Sequence, residues 1–189
     1  MRALTYQILQ LAAAGIAAGG VSVEIPLDKV PAEIMSAARK AAPLAIFTQA
    51  NTETETDGTI VYEIGGKESK FTFESLAGKP SEIDLSELDD SGFQLQTKQT
   101  TLTDIPIEVD VLADGEIEEI ERVVPESLVP AMVMKRIQQQ YQGFKPRRIE
   151  ASYNDHGRIF RYEFEGTHHG KSLDLEVSAD GSKIAESDT

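Results

Sequence analysis

Apolar and polar residues alternate singly in four stretches of this chain. Phe160, Tyr162 and Phe164 alternate with Arg161, Glu163 and Glu165, and Leu173, Leu175 and Val177 with Asp174 and Glu176. Earlier, Ile60, Tyr62 and Ile64 oppose Glu63, and Ile107, Val109 and Val111 oppose Glu108 and Asp110. A period of two is that of a strand with one oily and one polar face. The punctuation agrees: DG and HG separate strands, GTHHG suits a hairpin tip, and ADG follows the third strand. Two other stretches repeat near every fourth residue. They are Ile34, Ala38 and Ala41 with Met35 alongside, and Val133, Ile137 and Tyr141 with Met134 alongside. These read as two helices with one apolar stripe each. Both open on V-P-A. Pro31 and Pro130 suit a helix start, where a missing N–H has no partner to lose. Val30 and Val129, each before a proline, are pushed extended.

The elements recur in the same order. VPAEIMSAARKAAP (30–43) lies over VPAMVMKRIQQQYQ (129–142), DGTIVYEI (57–64) over HGRIFRYEF (156–164) with one extra residue, and IEVDVLADG (107–115) over LDLEVSADG (173–181). The copies are 99, then 100, then 66 residues apart. The fall of 34 locates an insertion in the first copy, between about Glu68 and Thr103. It contains KFTFES (70–75), SEIDLSELDDSG (81–92) and GFQLQTKQTTL (92–102), read as a long hairpin or flap extending the first sheet. The fold class expected is α+β: two tandem αβββ repeats, each a helix packed on an antiparallel sheet, with a β-rich insertion in the first. The organisation expected is a signal peptide over 1–20, a first repeat over 21–122 with its insertion at about 68–103, and a second over 123–189.

The V-P-A helix start, the aromatic Y-E-[IF] strand, the alternating acidic and apolar strand and the closing A-D-G together resemble the PepSY-like group. The tandem form resembles bacterial secreted proteins described as PepSY-like or beta-lactamase-inhibitor-like. The resemblance covers about residues 25–67 and 104–186. It implies a small extracytoplasmic module without catalysis, and a curved sheet face that grips another protein. The 34-residue insertion and the absence of cysteine depart from that pattern.

Composition narrows the function classes. The 189 residues carry 18 basic and 32 acidic side chains, a net charge of −14. Such a surface repels nucleic-acid phosphates and anionic lipid, so nucleic acid is not an expected partner and a basic protein, peptide or cation is. With no cysteine there are no disulfides, thiolate metal sites, cysteine nucleophiles or lipoprotein anchors. MRALTYQILQLAAAGIAAGG has one early basic residue, an apolar run from Ile8 to Ala18 and small residues after it. That is the form of a secretory signal, too short and alanine-rich for a membrane span. Its rival is an amphipathic helix with Leu4, Ile8 and Leu11 on one face. The expected location is periplasmic or secreted, with no stable membrane anchor after signal cleavage, or cytoplasmic if the segment is such a helix.

The motifs of catalysis are missing. There is no H-E-x-x-H, no phosphate-cradling glycine loop and no G-x-S-x-G elbow. His168 and His169 fall at a tight hairpin tip and His156 in a turn that tolerates positive φ, with no third zinc ligand in view. SELDDSG lacks the spacing of a calcium loop. KPRR (145–148) lies between helix and first strand of the second copy. No catalytic residue, metal or cofactor is expected. The polar pleats remain: Glu63, Glu108, Asp110, Arg161, Glu163, Glu165, Asp174 and Glu176 form the expected partner-binding surface. The reading is a non-enzymatic binding module that recognises or inhibits a protein or peptide through its sheet face. The alternatives are a cation-responsive envelope module and a small enzyme without a recognisable motif.

Overall fold

The computed structural model describes residues 21–76 and 97–187. The proposed signal segment (1–20) and the acidic middle of the insertion, SELDDSG included, lie outside the described residues. Among the described residues eleven strands and two α-helices follow one another. Strand β1 (Val21–Glu24) leads through a 3₁₀ turn, Leu27–Lys29, to helix α1 (Ala32–Ala41). Then come β2 (Ala45–Thr54), β3 (Ile60–Glu68), β4 (Phe71–Leu76), β5 (Thr97–Leu102), β6 (Ile105–Leu112) and β7 (Ile117–Val123). A second 3₁₀ turn, Glu126–Leu128, precedes α2 (Ala131–Gln140), followed by β8 (Lys145–Tyr153), β9 (Ile159–His168), β10 (Lys171–Ser178) and β11 (Ile184–Ser187).

The expected class is corrected. The chain does not form two αβββ units, each with a sheet of its own. Nine strands join in one antiparallel sheet in the order β1-β2-β3-β6-β7-β8-β9-β10-β11, and strand far outweighs helix. Periodicity tells which face of a strand is oily but not which strand lies beside it, so it cannot tell two sheets from one. Strand β7 makes the sheet continuous, pairing with β6 on one side and β8 on the other. The insertion is corrected too: β4 and β5 pair with each other as a separate two-stranded ladder and do not extend the main sheet. KPRR is not a connection; it opens β8.

Register carries the internal likeness further than the sequence does. Val21 faces Thr54 as Ile120 faces Tyr153, 99 residues on. Ile64 faces Val109 as Phe164 faces Leu175. The bulge between Phe47 and Gln49 in β2 returns between Pro146 and Arg148 in β8. Across from each lies a glycine, Gly66 and Gly166, whose absent Cβ leaves room for the neighbouring backbone or, at Gly166, the Phe144 ring. In this arrangement β7 takes two parts, matching β1 through β8 and β11 through β6.

Both helices lie on the same side of the sheet. Pro31 and Pro130 sit one residue ahead of the helices, with extended ψ of 143° and 137°, and their carbonyls accept the N–H bonds of Met35 and Met134. Ile34, Ala38, Val133 and Ile137 meet Ile64, Val109, Val111, Tyr162, Phe164, Leu175 and Val177 in one core. Phe160 is excluded from it. Ile159 faces Tyr153 and Arg161 faces Ser152, so Phe160 is the extra residue of a bulge and stands 42% exposed, beside Arg161. The β4–β5 hairpin covers the same side. Its Phe71 packs edge-on against Tyr153, and the Arg122 guanidinium lies over both rings while its Nε donates to Glu68 Oε2 at 2.8 Å, fully inside the protein.

A candidate interaction surface on the polar sheet face

The face opposite the helices is built by the cross-strand register. Glu63, Asp110 and Glu119 stand in one row across β3, β6 and β7. Glu108, Glu121, Ser152 and Arg161 form the next, across β6 to β9. Glu150, Glu163 and Glu176 form a third, and Arg148, Glu165 and Asp174 a fourth. All eight residues singled out from the sequence therefore share one face of one sheet. Sequence reasoning missed Glu119, Glu121, Arg148, Glu150 and Ser152. The alternation in EIEEIERVV and RRIEASY carries them, but only the pairing of β7 with β8 makes those stretches central.

Like charges opposed across strands repel, and the dense side chains keep water from screening them. Burial, then the charges of Glu63 and Glu150, pushes the Glu108 carboxyl up to about 7. Asp110 is pushed well above the usual carboxylate range by burial, then by Glu108, Glu63 and Glu119. Its Oδ1 is buried without a hydrogen-bond partner, as is Oδ1 of Asp174. Glu121 is raised by burial, then by the charge of Glu163, with which it shares a hydrogen bond.

Arg161 is the counterweight. Its Nη2 donates to both Glu119 oxygens at 2.9 Å and lies 2.7 Å from Glu163 Oε1, 3.7 Å from Glu121 and, through Nη1, 3.8 Å from Glu176. Arg148 plays a smaller part, donating to Glu150 at 2.7 Å. Carboxylate oxygens of Glu119, Glu121 and Glu163 lie within 4.8 Å of one another, a set of hard donors suited to a cation such as Ca²⁺. The guanidinium of Arg161 stands among them. Beside it Phe160, Glu176, Ser178, Lys183 and Ala185 line a shallow depression.

The histidines lie elsewhere. His169 and Gly170, at φ 50° and 78°, make the two-residue turn from β9 to β10. His168 Nε2 is 3.2 Å from the Gln142 carbonyl, and its ring meets Tyr141 edge-on. The positive φ expected at His156 belongs to Gly157 instead. No helix among the described residues is long and apolar enough to cross a membrane. No protein-family model matches this chain, and no curated protein matches it.

Proposed function

We propose that this chain is a non-enzymatic binding module, PepSY-like in kind and exported to the periplasm or beyond, whose polar sheet face captures a basic protein or peptide. One observation carries the reading. Four rows of carboxylates cross a continuous sheet, and Arg161 and Arg148 answer only part of their charge. Opposite charge on a partner would relieve the repulsion, steer the encounter and set its register. A face that is open among the described residues, with only a shallow depression beside Arg161, suits a chain or a protein surface better than a small substrate. The test is a titration with a lysine-rich peptide. Glu163→Lys with Glu176→Lys should weaken binding at least about tenfold, a loss of about 1.4 kcal/mol, in a protein that still folds. Unaltered binding by the double variant would remove the surface from consideration.

A second reading, a cation-responsive module, rests on the three converging carboxylates of Glu119, Glu121 and Glu163. It requires Ca²⁺ to raise the melting temperature and EDTA to reverse the rise. Arg161 already stands where the cation would, so the first reading is preferred.

A further inference from the structure

Among the described residues strand β1 is one outer edge of the sheet, and its backbone orientation is fixed by its neighbour. Ile25 N–H donates to the Ala50 carbonyl at 2.9 Å. Backbone groups alternate sides along a strand, so Val23 and Val21 also turn toward β2, and Ser22 and Glu24 present N–H and C=O outward. Natural edges are blunted by short length, charged side chains (lysine above all), proline or covering chain. The strand VSVE is short and holds one charge, Glu24, but has no lysine or proline, and Val21 and Val23 are 70% and 52% exposed.

The protein holds its own example of what fits there. Strand β7 stands to β8 as β1 stands to β2, register for register. On its other side β7 accepts β6, with Ile107 across Arg122, Glu108 across Glu121 and Val109 across Ile120. Shifted by 99 residues, that pattern asks for an apolar residue across Val23, a polar one across Ser22 and an apolar one across Val21. The polar side chain would emerge on the acidic face, near Glu63, to which Ser22 Oγ donates at 3.3 Å. Glu53 lies directly across from Ser22. The field at this end is negative: burial and then Glu55, Glu53 and Asp57 raise the Glu118 carboxyl. A lysine or arginine fits where a glutamate would be repelled.

We infer that β1 is a docking edge that takes one extended segment of a partner protein, antiparallel, with apolar and basic residues in alternation. Main-chain bonds would supply the ladder and alternate side chains the selectivity. This stands apart from binding on the sheet face, because it depends on backbone groups of β1 and not on the central carboxylates.

The experiment is a titration of the full chain with a peptide of about seven residues alternating valine and lysine, followed by amide NMR and hydrogen exchange. The Ser22 and Glu24 amides should gain protection. Ser22→Ala, which keeps the backbone donor, should bind within about twofold of the parent, and Ser22→Pro, which removes it, at least about tenfold more weakly. Protection is read amide by amide, so a gain at Ser22 and Glu24 reports the edge and a gain in the central strands reports the face, which separates failure of the edge from failure of the face. The inference is overturned if protection gathers elsewhere, if a valine–glutamate or scrambled valine–lysine peptide binds as well, if Ser22→Pro makes no difference, or if β1 instead pairs with a second copy of this chain. The exchange measurement on the unaltered protein needs no variant and stands if Ser22→Pro fails to fold.

Discussion

Glu108 shows what the polar face costs. Its carboxyl titrates near 7 in the folded protein, against an ordinary value of 4.5. A raised carboxyl favours the protonated native state, so folding takes up a proton. The resulting stabilisation is fully present below the unfolded value and fades as pH rises through about 7. Asp110 and Glu121 are shifted in the same direction. The protein should therefore melt higher at pH 5 than at pH 8. Glu108→Gln should flatten that slope, by an amount on the order of 2 kcal/mol across the range. Melting curves that fall as pH drops from 8 to 5 would contradict the assignment. Phe164 tests the opposite face: it is wholly buried in the core, and Phe164→Ala should cost about 3–5 kcal/mol in urea denaturation.

At the scale of elements, the repeat arithmetic gains a physical meaning. The step from 99 to 100 residues between copies is Phe160, the additional residue of the β9 bulge. Deleting Phe160 should leave a folded protein with its β8–β9 register intact, and NMR should show Arg161 still facing Ser152. The repeated bulge in β2 and β8 makes the opposite demand. At Gly166 a Cβ would run into the Phe144 ring and the Lys145 carbonyl, so Gly166→Ala should destabilise by about 1–3 kcal/mol. The alternation of β9 and β10 and the four-residue stripe of each helix are legible in the sequence, because burial on one side leaves its mark on every second or every fourth residue. Strand β2 is far less so. Its AIFTQANTET half-buries small and polar residues, and Ala50 is the one position in it that is fully enclosed. The candidate face is half legible for a related reason. Glu163 and Glu176 sit in plainly alternating strands, whereas Glu119 and Glu121 gain their neighbours only through long-range pairing. Arg122 is unreadable locally, because its burial between Phe71 and Tyr153 depends on a hairpin inserted some fifty residues earlier.

For the molecule as a whole, the decisive element is β7. A boundary between residues 122 and 123 falls inside this strand, and both halves of the sheet hydrogen-bond to it. Residues 117–187 should therefore fold as a fragment more readily than 124–187, which would bare the inner edge of β8. The full chain should unfold in urea as one transition seen alike by near- and far-ultraviolet circular dichroism. Two separated transitions would mean that the halves are coupled less tightly than the shared strand requires.

That strand also sets a rule of growth. Two five-strand blocks that hold one member in common yield nine strands rather than ten. Tandem duplication here lengthens a ribbon instead of adding a bead to a string. A further copy grafted after β11, with β11 recast in the image of β7, would add four strands and one more helix on the same side, and would carry the acidic rows onward without a seam.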